Sequence, residues 1–181
     1  MDQLKITVAL IVAVILQWTL RNVAEPFVYI DFPLIIVVYA ALQRDAVKAI
    51  FFGTFAGVAI DALSGGLLGA SGFSKTLVAF IVSELARRVY VDNLLLRIPV
   101  IAGACLLDAL VYFGMHRLLG QPPVGEVYVV LAYSLIGTTI TGTFVFLFLD
   151  YFLKERVRMR KREMFPARRR TRRRNPIRLG R

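Results

Sequence analysis

Two acids, Asp61 and Asp108, stand inside otherwise apolar stretches and are the first residues to ask for chemistry. A carboxylate at the centre of a membrane-crossing helix costs about 2.5–3.5 kcal/mol unless it is paired or faces a polar interior. A proton or ion relay would need a chain of such groups across the membrane, and the acids here are too scattered to suggest one. The plainer reading is structural: each caps a helix end or pairs with a nearby cation such as Lys75 or Arg117. A serine-type triad would need the single histidine, His116, near Ser64 or Ser71 and a carboxylate, and the chain has no nucleophile-elbow sequence. His116 reads instead as an interfacial residue beside Arg117. One histidine and one cysteine, Cys105, leave no His-rich or Cys-based metal site and no intrachain disulfide. Asp108, His116 and Arg117 alone are too few for a membrane enzyme acting on lipid. The residues therefore predict no catalytic group, no metal, no cofactor and no enzyme.

The elements that must position these residues are written in the hydropathy. Of the 181 residues, 57% are hydrophobic and the mean hydropathy is +0.65, above the roughly 45–50% apolar share of a soluble domain. The apolar residues come in blocks, which predicts an all-α polytopic membrane protein with about six transmembrane helices over 4–20, 27–42, 46–63, 67–83, 94–118 and 127–149. Only 127–149 is long and free of charge; the fourth segment carries Lys75. The first run lacks a positive leader, and Asn22-Val23-Ala24 is a poor cleavage site, so it reads as a retained helix. Cys105, in an apolar run, reads as a small packing residue.

Charge divides the chain sharply. Residues 154–181 hold 14 Lys/Arg against two acids, a net +12, which leaves 1–153 at −1. We accordingly read a transmembrane domain over 1–153 and a basic cytoplasmic tail over 154–181, helical to about 165 and disordered beyond Pro166. With both termini in the cytoplasm, the inner connections collect Lys5, then Arg44 and Lys48, then Arg87, Arg88 and Arg97, and finally the tail. The outer ones hold one cation each, Arg21, Lys75 and Arg117, as the excess of Lys and Arg on cytoplasmic loops requires. In the tail, Arg168, Arg169, Arg170, Arg172, Arg173 and Arg174 suit anionic lipid or an acidic cytoplasmic partner. Phe165 is the tail's one aromatic, too few for base stacking, so nucleic acid is not an expected partner.

Glycine marks two further features. Four glycines fall in the eight residues from Gly65 to Gly72, and each destabilises helix by about 1 kcal/mol relative to Ala. This predicts an unwound or re-entrant loop covered by protein. Gly53 and Gly57 form a GxxxG, and Ala9 and Ala13 a weaker small-residue pair; both suit close helix packing within the bundle or contact with a partner.

Phe32-Pro33-Leu-Ile-Ile-Val-Val-Tyr39-Ala-Ala-Leu-Gln43-Arg44, followed by Gly53, Gly57 and Asp61-Ala-Leu-Ser64-Gly65-Gly66-Leu-Leu-Gly69, resembles the rod shape-determining membrane protein family MreD. The resemblance covers about 1–153, and its most specific part is the Asp-x-x-Ser-Gly-Gly-x-x-Gly run. It implies a multi-pass protein of the bacterial inner membrane, with a fold similar to the membrane-embedded S subunits of energy-coupling-factor transporters. It also implies a non-enzymatic scaffold of the elongation complex that builds side-wall peptidoglycan. The expected partners are MreC, RodA with its penicillin-binding partner, and the MreB filament. Asp61, Ser64, Gly65, Gly66 and Gly69 are then a structural or partner-docking motif. The competing reading is a vitamin-binding S subunit of an energy-coupling-factor transporter. The outward loops argue against it, offering few polar and aromatic side chains to grip a polar vitamin.

Overall fold

The computed structural model describes residues 2–23, 25–65, 68–89, 94–120 and 127–164. Among them the chain is all helical, and it divides into two compact units, 1–148 and 149–181.

The first unit begins with α1 (Asp2–Val23), whose Ile6, Leu10, Ala13 and Val14 are buried at helical spacing. Val8, Ile11, Val12, Ile15 and Leu16 are exposed apolar side chains, the composition of a face turned to lipid. The next predicted segment is not one helix. A 3-10 turn, η1 (Glu25–Tyr29), precedes α2 (Phe32–Ala41), which starts afresh at an N-cap. Pro33 has no N–H for the carbonyl four residues back, so helix cannot run through from η1. Asp31 supplies the cap, its Oδ1 accepting from the Leu34 N–H at 2.9 Å.

α2 is buried nearly all round, from Pro33 to Val38 and at Ala40 and Ala41. Its ten residues rise about 15 Å, half of the roughly 30 Å hydrocarbon core. A tight turn containing Arg44 at φ 66 leads into α3 (Ala46–Ser64). Asp45 caps α3 by accepting from the Lys48 N–H, and the Lys48 ammonium, with that backbone bond, holds its carboxyl below the usual carboxylate range. The remaining elements are α4 (Ala70–Arg88), α5 (Leu94–Leu118), with Pro99 in its first turns, and α6 (Val127–Met164).

Among the described residues, four of the six α-helices are long and apolar enough to cross a membrane, through Leu4–Arg21, Ala46–Ser64, Leu96–Leu118 and Tyr128–Leu149. The other two, α2 and α4, complete the six helices expected, but neither is both long and apolar enough to cross by that measure. α2 is too short, and α4 carries Lys75, Glu84, Arg87 and Arg88. α2 is interior, whereas α4 buries one face, which carries Lys75, and leaves Arg87 and Arg88 exposed at its end. α4 buries Ser71, Ser74, Lys75 and Ser83 beside its apolar Val78, Ala79 and Val82.

α3 and α4 form the closest helix pair. At Gly57 a Cβ would lie 2.3 Å from the Ser71 carbonyl oxygen and 2.4 Å from the Gly72 Cα. At Gly53 it would lie 2.7 Å from the Lys75 carbonyl oxygen. Gly53 and Gly57 thus lie directly against α4, Ala13 is buried and Ala9 is half-buried. α6 joins through side chains: Phe146 is fully buried and meets Tyr39 edge-on at 5.3 Å, and Gly142 receives Ile101 and Ile35. The second unit, from Leu149, contains the continuation of α6 as far as Met164.

Candidate functional site

The polar interior is built where α2 begins. Asp31, at the broken end of η1–α2, points its carboxylate at Lys75 of α4, and the two form an ion pair. Asp108 of α5 pairs with the same ammonium at 3.0 Å, and Ser74 donates to its other oxygen at 2.7 Å. Lys75 is buried, its side chain 3% exposed, against 24% for Asp31 and 13% for Asp108. The network reaches further. The Asp31 N–H donates to Thr138 Oγ1 of α6 at 3.2 Å, and the Phe32 N–H donates to Gln17 Oε1 of α1 at 3.0 Å. One polar layer thus ties α1, α2, α4, α5 and α6 together.

A second polar node lies at the turn from α3 to α4. Asp61 is buried and accepts from three backbone N–H groups, those of Gly69 at 2.8 Å, Ser71 at 3.1 Å and Gly72 at 3.3 Å. These are the donors that the first turn of α4 leaves without helical partners, and the helix dipole favours a carboxylate there. The unwound loop expected across Gly65–Gly72 is correspondingly shorter. Gly65 and Gly69 take left-handed conformations, φ 63 and 96, while Gly72 already lies within α4. Ser64 ends α3 with its hydroxyl on the Ile60 carbonyl, exposed beside Gly65. Gly66 and the tail arginines Arg168, Arg169, Arg170, Arg172, Arg173 and Arg174 lie outside the described residues.

Of the two structural roles open to the intramembrane acids, Asp61 takes the cap and Asp108 the ion pair. Lys75 is the cation for Asp108, whereas Arg117 is exposed. Asp31 was the partner not singled out from the sequence. Its signal was an Asp followed two residues later by Pro, ahead of an apolar run, which marks a helix start and says nothing of a lysine 44 residues away. His116 is buried, with its ring on Tyr112 at 4.3 Å and Nδ1 on the Tyr112 carbonyl at 3.0 Å. Cys105 is buried with Sγ 3.7 Å from Ser134 Oγ. No group of three or more His, Cys, Asp or Glu able to hold a metal occurs among the described residues.

Chemically the layer is suited to holding helices. Lys75 follows Ser74 directly, but its ammonium is engaged by two carboxylates, and the Ser74 hydroxyl donates to Asp108 and to the Ser71 carbonyl.

The family model for the rod shape-determining protein MreD matches residues 3–154. The chain belongs to the MreD family. Comparison with curated proteins and with solved structures found no match, so the likeness to transporter S subunits rests on the sequence resemblance alone. The match covers α1 to α5 and the apolar part of α6, so both polar nodes of this MreD family member lie within it.

The cap gives a first prediction. Asp61→Ala strands three buried donors and should cost roughly 3 kcal/mol, whereas Asp61→Asn, which keeps one side-chain oxygen, should cost less than half as much. Thermal midpoints of the two variants in detergent measure the difference. Equal midpoints for the unaltered protein and Asp61→Ala would refute the capping role.

Proposed function

We propose that this member of a rod shape-determining family is a non-catalytic scaffold of the elongation machinery in the bacterial inner membrane. In this reading it holds the transmembrane part of MreC and meets RodA, its penicillin-binding partner and the MreB filament, supporting side-wall peptidoglycan synthesis. The family match over 3–154 carries the reading. The bundle is compatible with it: Lys75 of α4 is turned inward and bonded to Asp31 ahead of α2 and to Asp108 of α5, while α1, α3, α5 and α6 present apolar side chains outward.

The proposed topology puts both termini in the cytoplasm. Arg87 Nε donates to the Arg44 carbonyl at 3.3 Å, which brings the α2–α3 turn and the end of α4, both basic, to one end of the bundle. That end suits the cytoplasmic side, and the Gly65–Gly69 turn then faces outward. Ser64, Gly65, Gly66 and Gly69 around Asp61 are proposed to offer a docking surface there. The arginines of the tail are proposed to hold anionic lipid on the inner face.

The test is affinity purification of the tagged full chain from its native membrane in mild detergent, with mass spectrometry of what accompanies it. MreC together with RodA or its penicillin-binding partner is the expected result. Coupling and ATPase subunits, or a stoichiometric vitamin, would overturn the scaffold reading. On the docking surface, Ser64→Tyr adds bulk at an exposed position and should lower MreC recovery at least several-fold without moving the thermal midpoint. Unchanged recovery would remove Ser64 from the surface.

A further inference from the structure

A cleft of about 190 Å³ opens between α1 and α3, toward the end of the bundle that carries the Gly65–Gly69 turn. Its walls are apolar, with Val14 on α1 facing Ile60 and Leu63 on α3, and Trp18 stands half-exposed at its side. Three polar residues also line it, and two of them are already engaged. Gln17 accepts from the Phe32 N–H, and the Ser64 hydroxyl donates to the Ile60 carbonyl. The third is Arg21, in the last turn of α1, exposed and without an ion pair among the described residues.

The charge is thus at one end and the hydrocarbon below it. From Val14 to Arg21 the helix rises about 10 Å, enough for a length of acyl chain to lie along α1 with its headgroup at the guanidinium. Arginine is the side chain best matched to a phosphate in this position, because its planar fork bonds two oxygens at once. A neutral or zwitterionic occupant would leave Arg21 without a net counter-charge. We propose that the cleft is a binding site for one anionic phospholipid, with its phosphate on Arg21 and an acyl chain between Val14, Ile60 and Leu63.

Trp18 makes the site directly readable, because it is the chain's single tryptophan. The full chain, tail included, is held in detergent and titrated with phosphatidylglycerol or phosphatidylcholine carrying brominated acyl chains, which quench indole fluorescence on contact. Phosphatidylglycerol should reach half-maximal quenching at about a five-fold lower mole fraction than phosphatidylcholine, the preference one cation near an anionic headgroup provides. Arg21→Gln should bring the two lipids to parity, and Arg21→Lys should keep most of the preference. Since every variant retains the tail, enrichment of anionic lipid by the tail cannot produce that pattern. Equal quenching by both lipids in the unaltered protein would overturn the site. So would a preference that survives Arg21→Gln. Arg21 is exposed, so its variants should elute as the unaltered protein does on gel filtration.

Discussion

Lys75→Met is expected to unfold the bundle more readily than any other single change to its polar residues. Removing the ammonium leaves Asp31 and Asp108 facing one another across a buried space, 24% and 13% exposed, with no counter-charge between them. Breaking a buried pair by deleting one partner typically costs 3–5 kcal/mol, because the remaining charge stays desolvated. For a unit of this size that corresponds to a fall of roughly 10 °C in thermal midpoint, readable by gel filtration of heated, detergent-solubilised protein. The cause is separable from loss of the lysine's packing. Lys75→Met combined with Asp31→Asn and Asp108→Asn removes the charges together and should recover more than half of the loss, since a neutral replacement of a buried ionic cluster is often tolerated. A triple variant as unstable as Lys75→Met would mean that the lysine stem, rather than its charge, holds the helices.

How far this layer could be read from the sequence depends on which residues compose it. α6 was legible because 127–149 is apolar and uncharged, and the sequence reading of α5 has the same bounds as the helix. α2 and α4 were harder because hydropathy reports contact with lipid, and α2 is buried nearly all round while α4 carries Lys75 on a buried face. The break ahead of α2 depends on Pro33 and Asp31, which an average over the whole apolar run conceals. The lysine of α4 lowered the apparent quality of a span when it was in fact marking a buried face. Its partners lie 44 and 33 residues away in the chain, so no local pattern could join them. The Gly-rich stretch misled in a different way. Its glycines serve two purposes: left-handed backbone at Gly65 and Gly69, and close approach of α4 to Val58 of α3 at Gly72, where a Cβ would sit 3.1 Å from the Val58 side chain. Composition alone cannot separate a glycine needed for its φ from one needed for its missing side chain.

That close approach carries the second large effect. Gly57→Ala should destabilise the protein by more than an ordinary overpacking substitution. The added methyl meets the Ser71 carbonyl oxygen at 2.3 Å and the Gly72 Cα at 2.4 Å, backbone atoms that cannot rotate aside. The helices must separate by more than 1 Å to restore van der Waals distance, and overpacking of this kind costs about 1–3 kcal/mol on its own. Separation also pulls the Ser71 and Gly72 N–H groups away from Asp61, which accepts from both. The thermal midpoint should fall by roughly 5–10 °C for Gly57→Ala and by less for Gly53→Ala, where the nearest atom is at 2.7 Å and lies outside the cap. Gly103→Ala on α5 is the control: nothing lies within 4 Å of its would-be Cβ, so helix propensity should leave it neutral or slightly stabilised. Because Gly57 and Asp61 act on the same two residues, Gly57→Ala with Asp61→Ala should cost clearly less than the two separately. Strict additivity would instead mean that α4 keeps its place against Asp61 when the helices part.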